Sequence, residues 1–109
     1  MDSEQELVVV FITSASESEA HSLARMLVEK RLAACVNTFH NVHSLFWWQG
    51  KVDSAHEVLL IVKTRAALLP NLVESVKKAH SYTVPEIIAL PIIGGNPDYL
   101  KWVVDETST

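Results

Sequence analysis

The segment from His80 to Glu86 holds the densest group of side chains that could bind a ligand. It places the imidazole of His80, the phenol of Tyr82 and the carboxylate of Glu86 around a proline, Pro85. A turn of this composition can direct several donors and acceptors to one point. Because histidine and glutamate are acceptable ligands for a borderline divalent cation such as copper or zinc, we expect a weak metal site at His80 and Glu86. The alternative is that Tyr82 and Glu86 form hydrogen bonds within the fold or across a subunit contact.

Lys63 and three consecutive aromatic residues could line a second kind of site. Lys63 ends a long apolar run, where it could pair with a carboxylate such as Glu86 or contact an anionic ligand. The aromatic run precedes Gly50 at a predicted hairpin tip, where it would be exposed in a monomer but would suit an interface. We therefore expect a ligand cleft or subunit interface that includes Lys63, Tyr82, Phe46, Trp47 and Trp48.

The other histidines and the single cysteine give weaker signals. His40 and His43 are three residues apart in a predicted strand, so they should point to opposite faces of the sheet and not share a metal. His56 lies in a polar stretch, where a solvated side chain is expected. Cys35 should be a small buried residue. An enzyme that uses Cys35 or His80 as its reactive group is the least favoured alternative, because no base or orienting group follows at a recognisable spacing.

Composition and missing motifs exclude several classes of protein. The 109 residues, 49% of them hydrophobic, suit one domain over residues 1–109 with an ordered core at about 7–105. A net charge of -4 without a basic cluster argues against nucleic acid. The longest apolar runs are too short for membrane insertion, and Met1–Glu4 lacks the basic start of a signal peptide. A single cysteine indicates a reducing, cytoplasmic location, and the absence of common catalytic motifs indicates a non-enzymatic protein.

The hydrophobic pattern predicts four strands and three helices. Leu7–Ile12 is apolar without alternation, which predicts a central strand covered on both faces. Ser16 and Glu19 have the spacing of a capping box, and Pro91 restricts its strand to an edge of the sheet. The other predicted elements are helices over Glu17–Arg31, from about Ala67 and over Pro97–Val104, and strands over Ala33–Trp48, Val52–Thr64 and Pro85–Ile93.

The order β-α-β-β-α-β with a short C-terminal helix predicts a ferredoxin-like α+β fold. In this split βαβ arrangement, two helices cover one face of an antiparallel four-stranded sheet. The runs Val58–Val62 and Ile87–Leu90 send apolar side chains to both faces, so the second face also needs a cover. Further copies of the chain in a closed symmetric assembly are the simplest cover. The alternative is a monomer in which the third helix folds over that face.

Several separated blocks of the sequence resemble the CutA family of divalent-cation-tolerance proteins. The match runs in order from about Val8 to Val104, and the blocks are Glu29–Asn37, Trp48–Lys51, Lys63-Thr64, His80–Tyr82 with Pro85-Glu86, and Tyr99-Leu100 with Trp102. The resemblance implies a ferredoxin-like subunit in a tight trimer, with Asn37 added to the residues of the cleft or interface. It also implies association with divalent cations, copper above all, and a link to metal tolerance in bacteria.

Two positions depart from the metal ligands attributed to some bacterial members. Those proteins are described with a cysteine in the first strand and two adjacent histidines before the tyrosine, where this sequence has Ile12 and Ala79-His80. Only His80 is retained, so the soft ligand and one histidine are missing. We therefore expect weak binding of copper or another divalent cation, shared at subunit junctions. Animal members have also been connected with the anchoring of another protein at membranes.

Together these observations predict a non-enzymatic homotrimer that binds divalent metal ions, copper in particular, or responds to them. Its expected partners are further copies of itself and metal ions. The alternative is a trimer that binds a small ligand or a protein, similar to the nitrogen-regulatory signalling proteins, or one with a protein-anchoring role.

Overall fold

The structure, a computed structural model, describes residues 6–108. Met1–Gln5, which include the start that lacks the basic residues of a signal peptide, and Thr109 lie outside the described residues. The elements follow the predicted order. They are β1 (Leu7–Ser14), α1 (Glu17–Glu29), β2 (Cys35–Trp48), β3 (Lys51–Arg65), α2 (Leu69–Ala79), β4 (Ile87–Pro91) and α3 (Pro97–Glu106). A 3-10 turn over Ala66–Leu68 leads into α2, whose first turn contains Pro70 as expected.

The four strands form one antiparallel sheet in the order β2-β3-β1-β4. The apolar strand β1 is central, as its sequence predicts. β4 lies at an edge and ends at Pro91, opposite Val8. This strand is shorter than the predicted Pro85–Ile93. Pro91 is tolerated in it because the next residue, Ile92, donates to the Leu7 carbonyl, so the Pro91 nitrogen faces away from β1.

One face of the sheet packs against α1 and α2 and forms the core. Alternate residues of β1 and β3 point to this face, and the helices contribute leucines and a valine at helical spacing. The fully or almost fully buried members are Val10, Ile12, Leu60, Val62, Leu23, Leu27, Leu72 and Val76.

Helix α1 has the predicted start but ends two residues earlier than predicted. The Ser16 hydroxyl accepts a hydrogen bond from the Glu19 N–H, and the Glu19 carboxylate accepts one from the Ala15 N–H. Arg31 adopts a φ of 60°, which ends the helix after Glu29. The N–H groups of Leu32 and Ala33 donate to the carbonyl of Leu27, as in a helix C-terminus that is capped by one residue in the left-handed conformation.

Helix α3 covers only one end of the second face. It packs against β1 and β3, where Val103 is fully buried. Arg31 pairs with Glu106 at its end, at 2.7 Å. Away from α3, several apolar side chains of this face remain exposed, among them Phe39 by 64%, Ile88 by 52% and Leu90 by 50%. The structure therefore has the open apolar face that the sequence predicts, and α3 is too short to close it.

The long β2–β3 hairpin contains two special backbone positions. Its tip is the two-residue turn Gln49-Gly50, in which both residues have a positive φ. In β2, a bulge lies between Phe39 and Val42, where Asn41 has a φ of 62°. The expectation that His40 and His43 face opposite sides is wrong, because the extra residue of the bulge shifts the alternation by one.

Candidate functional site

The imidazole of His80 fixes the loop between α2 and β4. Its side chain is fully buried, with Nε2 2.7 Å from the Thr13 carbonyl oxygen. Nδ1 accepts a hydrogen bond from the Tyr82 N–H at 3.0 Å. The ring is therefore the neutral tautomer that donates from Nε2, and both nitrogens are occupied. A metal ion at His80 would have to displace one of these bonds.

Glu19 holds the same loop from the start of α1. Its carboxylate accepts hydrogen bonds from the Ala15 N–H at 3.0 Å and from the Ser81 N–H at 2.8 Å. Burial opposes ionisation of this carboxyl, but the two hydrogen bonds outweigh that effect and lower its pKa. The ionised carboxylate thus joins the helix start to the loop that carries Tyr82.

Tyr82 lies against Glu57 of β3. Its hydroxyl donates to Glu57 Oε2 at 2.9 Å, and Glu57 is only 8% exposed. Burial and the neighbouring Glu57 carboxylate raise the pKa of Tyr82 to about 12. The phenol therefore stays protonated and serves as a hydrogen-bond donor to a largely buried carboxylate.

A cleft of about 830 Å³ opens beside this pair, between the tip of the hairpin and the loop before β4. The residues that line it include four aromatics, Phe46, Trp47, Trp48 and Tyr82. They also include three acidic side chains, Asp53, Glu57 and Glu86, and none of the lining residues is lysine, arginine or histidine. The cleft therefore combines aromatic surface with a negative potential.

The structure does not bring Lys63 into this cleft. Lys63 hydrogen-bonds the side-chain oxygen of Asn37 on the neighbouring strand and not Glu86, the carboxylate named as one of its two possible partners; contact with an anionic ligand stays a prediction. Cys35 lies opposite Lys63, with its sulfur 3.7 Å from the same oxygen of Asn37. Burial and the adjacent Cys35 thiol raise the pKa of Tyr99 in α3. These residues form a separate polar cluster at the other end of the open face.

Cys35 also differs from its predicted environment. It is half-buried and not part of the core, because it begins β2 on the open face, beside α3. The residues predicted to share one cleft therefore fall into two groups. The cleft is lined by Tyr82, Phe46, Trp47, Trp48 and Glu86, whereas Lys63 and Asn37 lie outside it.

Sequence reasoning missed Glu57 and Asp53. A usable signal was the alternation along β3, which puts residues 53, 55, 57, 59, 61 and 63 on one face. The burial of Glu57 depends on its contact with Tyr82, which lies 25 residues further along the chain in the loop before β4. That contact has no counterpart in the local sequence.

The two predicted metal ligands are not placed in a common cluster. Glu86 lines the cleft, whereas His80 is not among the lining residues. Among residues 6–108, no group of three or more His, Cys, Asp and Glu side chains is arranged to hold a metal ion. No helix in this range combines the length and hydropathy needed to cross a membrane.

The fold and the site define a class of protein: a ferredoxin-like α+β domain with an open apolar sheet face and an acid-lined cleft. The model of the CutA1 divalent ion tolerance protein family matches residues 8–106. The chain belongs to this family, as the blocks of resemblance predict.

Individual relatives agree with this assignment. The divalent-cation tolerance protein CutA of Thermus thermophilus is 52% identical over 99 residues, which cover 91% of this chain and 96% of the relative. Protein CutA 1, chloroplastic, of rice is 47% identical over 100 residues, and protein CutA of mouse is 46% identical over 99. The matches cover 92% and 91% of this chain, which spans 56% of the length of each of these two relatives.

Solved structures confirm the predicted fold. The structure of CutA1 from rice matches with a TM-score of 0.92 at 44% identity and covers 96% of both chains. The structure of the divalent cation tolerance protein from Thermus thermophilus also matches with a TM-score of 0.92, at 50% identity, over 94% of this chain and 99% of the other.

Proposed function

We propose that the chain is a non-enzymatic homotrimer that binds divalent cations weakly, copper among them, in the acid-lined cleft. The observation that carries this proposal is the lining of the cleft, with three carboxylates and no basic side chain. Membership of the divalent ion tolerance family supports a cation as the ligand.

The electrostatics of the cleft favour a cation over an anion. Glu57 is largely buried, and the only hydrogen bond to its side chain within residues 6–108 comes from the neutral phenol of Tyr82. A unit charge about 4 Å from such a carboxylate gains on the order of 4 kcal/mol at an effective dielectric constant near 20. Carboxylate oxygens alone discriminate poorly between divalent cations, so we expect modest affinity and little selectivity.

Equilibrium dialysis with Cu²⁺ and Zn²⁺ tests the cleft as the binding site. The informative variant is Asp53→Asn with Glu86→Gln, which removes two negative charges from the lining while keeping the side-chain shapes. Glu74→Gln is the matched control, because Glu74 pairs with Lys78 on the surface of α2. The cleft variant should take up less metal than wild type and the control should not; equal uptake by all three proteins would refute the cleft as the site.

The open apolar face supports the homotrimer. Phe39, Ile88 and Leu90 expose surface whose burial is worth about 25 cal/mol per Å². A closed ring of identical subunits can bury the same patch on every copy. Light scattering should therefore give three times the subunit mass of 12.1 kDa; a monomer of normal solubility would contradict the proposal.

The size and aromatic walls of the cleft favour a second candidate function, the binding of a small organic molecule or a protein segment. A volume of about 830 Å³ lies within the range of small-molecule sites. Such a protein would act as a signalling or anchoring module. A change in tryptophan fluorescence with an organic ligand that is lost in Trp48→Phe, without metal uptake in dialysis, would favour this candidate over the first.

The proposal includes a cytoplasmic location and no catalysis. The single cysteine suits a reducing compartment. His80 lacks a free nitrogen to act as a base, which supports a non-enzymatic role. Iodoacetamide labelling coupled to mass spectrometry checks the remaining nucleophile, Cys35, which should react no faster than a model thiol.

A further inference from the structure

The β2–β3 hairpin carries one histidine on each strand at directly facing positions. His43 pairs with His56 in the register of the sheet. Their rings are stacked, with centroids 4.6 Å apart and planes inclined by 2°. Both residues are exposed, so their side chains can turn without disturbing the core.

The hairpin turn sets this pair. Trp48 faces Lys51 across the turn Gln49-Gly50, and unbroken pairing from there brings His43 opposite His56. The bulge lies beyond the pair, where His40 and Asn41 span the position of one residue of β3. Counting back from the turn therefore predicts the pair, whereas counting from Phe39 opposite Leu59 would set His56 opposite Val42.

The pair lies on the opposite side of the hairpin from the carboxylates of the cleft. His56 alternates with Glu57 and shares its face with Val58 and Leu60, which point to the helices. Neither His43 nor His56 lines the cleft. A ligand bound by the two imidazoles would therefore occupy a different site.

We propose that His43 and His56 form a two-imidazole site for a borderline divalent cation, Cu²⁺, Zn²⁺ or Ni²⁺. Facing side chains on adjacent antiparallel strands have Cβ atoms roughly 4.5 to 5.5 Å apart, and imidazole nitrogens bind such cations at about 2.0 to 2.1 Å. In the stacked arrangement the lone pairs run parallel, so the rings must turn to converge on one ion. Water completes the coordination.

His40 does not add a third ligand. Its Nδ1 lies 3.2 Å from a carboxylate oxygen of Glu17 in α1, and no three-residue metal cluster exists within residues 6–108. The site is therefore bidentate and selects by imidazole chemistry: Cu²⁺ binds more tightly than Zn²⁺, and Mg²⁺ does not bind. This inference goes beyond the proposed function and does not depend on the cleft.

Copper titration of the full chain, followed by electron paramagnetic resonance, tests the site. The variants are His43→Gln and His56→Gln, with His21→Gln as the matched control on the exposed side of α1. Wild type and the control should show hyperfine splitting from two nitrogen ligands. Each hairpin variant should bind copper about 100-fold more weakly, because loss of one imidazole removes the chelate advantage.

The outcomes separate this site from the cleft. Weak binding and loss of the nitrogen splitting in both hairpin variants, with no change in Asp53→Asn/Glu86→Gln, support the histidine pair and refute the cleft. Copper affinity that is unchanged in His43→Gln and His56→Gln overturns the histidine pair, whatever the cleft variant does. Circular dichroism melts show whether each variant remains folded, and addition of imidazole to His43→Gln should restore the splitting if the pair is the site.

Discussion

His80 should contribute to stability and not to metal uptake, and three substitutions separate its two bonds. His80→Ala removes both hydrogen bonds and leaves the buried Thr13 carbonyl without a donor. His80→Asn can still accept from the Tyr82 N–H, as Nδ1 does. His80→Gln can still donate to Thr13, as Nε2 does.

The magnitude follows from the two contacts. Each hydrogen bond is worth about 1 kcal/mol, and a buried carbonyl without a partner costs roughly 1 to 3 kcal/mol more. We therefore expect His80→Ala to lower the free energy of unfolding by about 2 to 4 kcal/mol. The Asn and Gln variants should each lose about half of that, with Gln the milder because it keeps Thr13 paired.

Urea unfolding at fixed protein concentration measures these losses, because assembly would make stability depend on concentration. Dialysis of the same four proteins against Cu²⁺ provides the second measurement. A His80→Ala protein that is as stable as wild type but binds less copper would refute the structural role and restore His80 as a ligand.

Three further predictions concern the turn, the open face and the start of α1. Gln49→Asn should raise the free energy of unfolding by about 0.5 to 1 kcal/mol in a urea melt, since asparagine tolerates the positive φ of Gln49, whereas Gln49→Val should lower it. Leu90→Lys should shift light scattering towards the mass of one subunit while circular dichroism remains that of the fold, because it places a charge on the exposed apolar face; an unchanged mass would place the contact elsewhere. Glu19 has a lowered pKa, so its stabilisation is present above the unfolded value near 4.5 and is lost as the pH falls through the folded value. As the pH is lowered below 4.5, the urea midpoint should therefore decrease more steeply for wild type than for Glu19→Gln. Parallel curves of midpoint against pH would show that the bonds to Ala15 and Ser81 contribute nothing.

The fold was predictable because its signals are local. The unbroken apolar run of β1, the capping box of α1 and the glycine of the hairpin turn each depend on neighbours in the sequence. The bulge at Asn41 was not predictable, because asparagine accepts a positive φ without requiring it.

The site was predictable only in part. Tyr82, Glu86 and the aromatic run were found from their density in the sequence, and they do line the cleft. The partners of Lys63 and His80 were not predicted from the sequence. Strand register brings Asn37 to Lys63, and the fold of the loop brings His80 to Thr13. Residue type alone does not show whether an imidazole is free for a ligand or already bound to the backbone.

The bulge lets the arm between it and the turn keep its own alternation. In this arm, Phe46 and Trp48 alternate onto the side of Glu57, while Leu45 and Trp47 alternate onto the other. Deleting Asn41 would leave a regular ladder, because Phe39 would still face Leu59 and Val42 would still face Glu57 while the tight turn kept its length. The hairpin could thus lose one residue at this position without changing which rings face the acids.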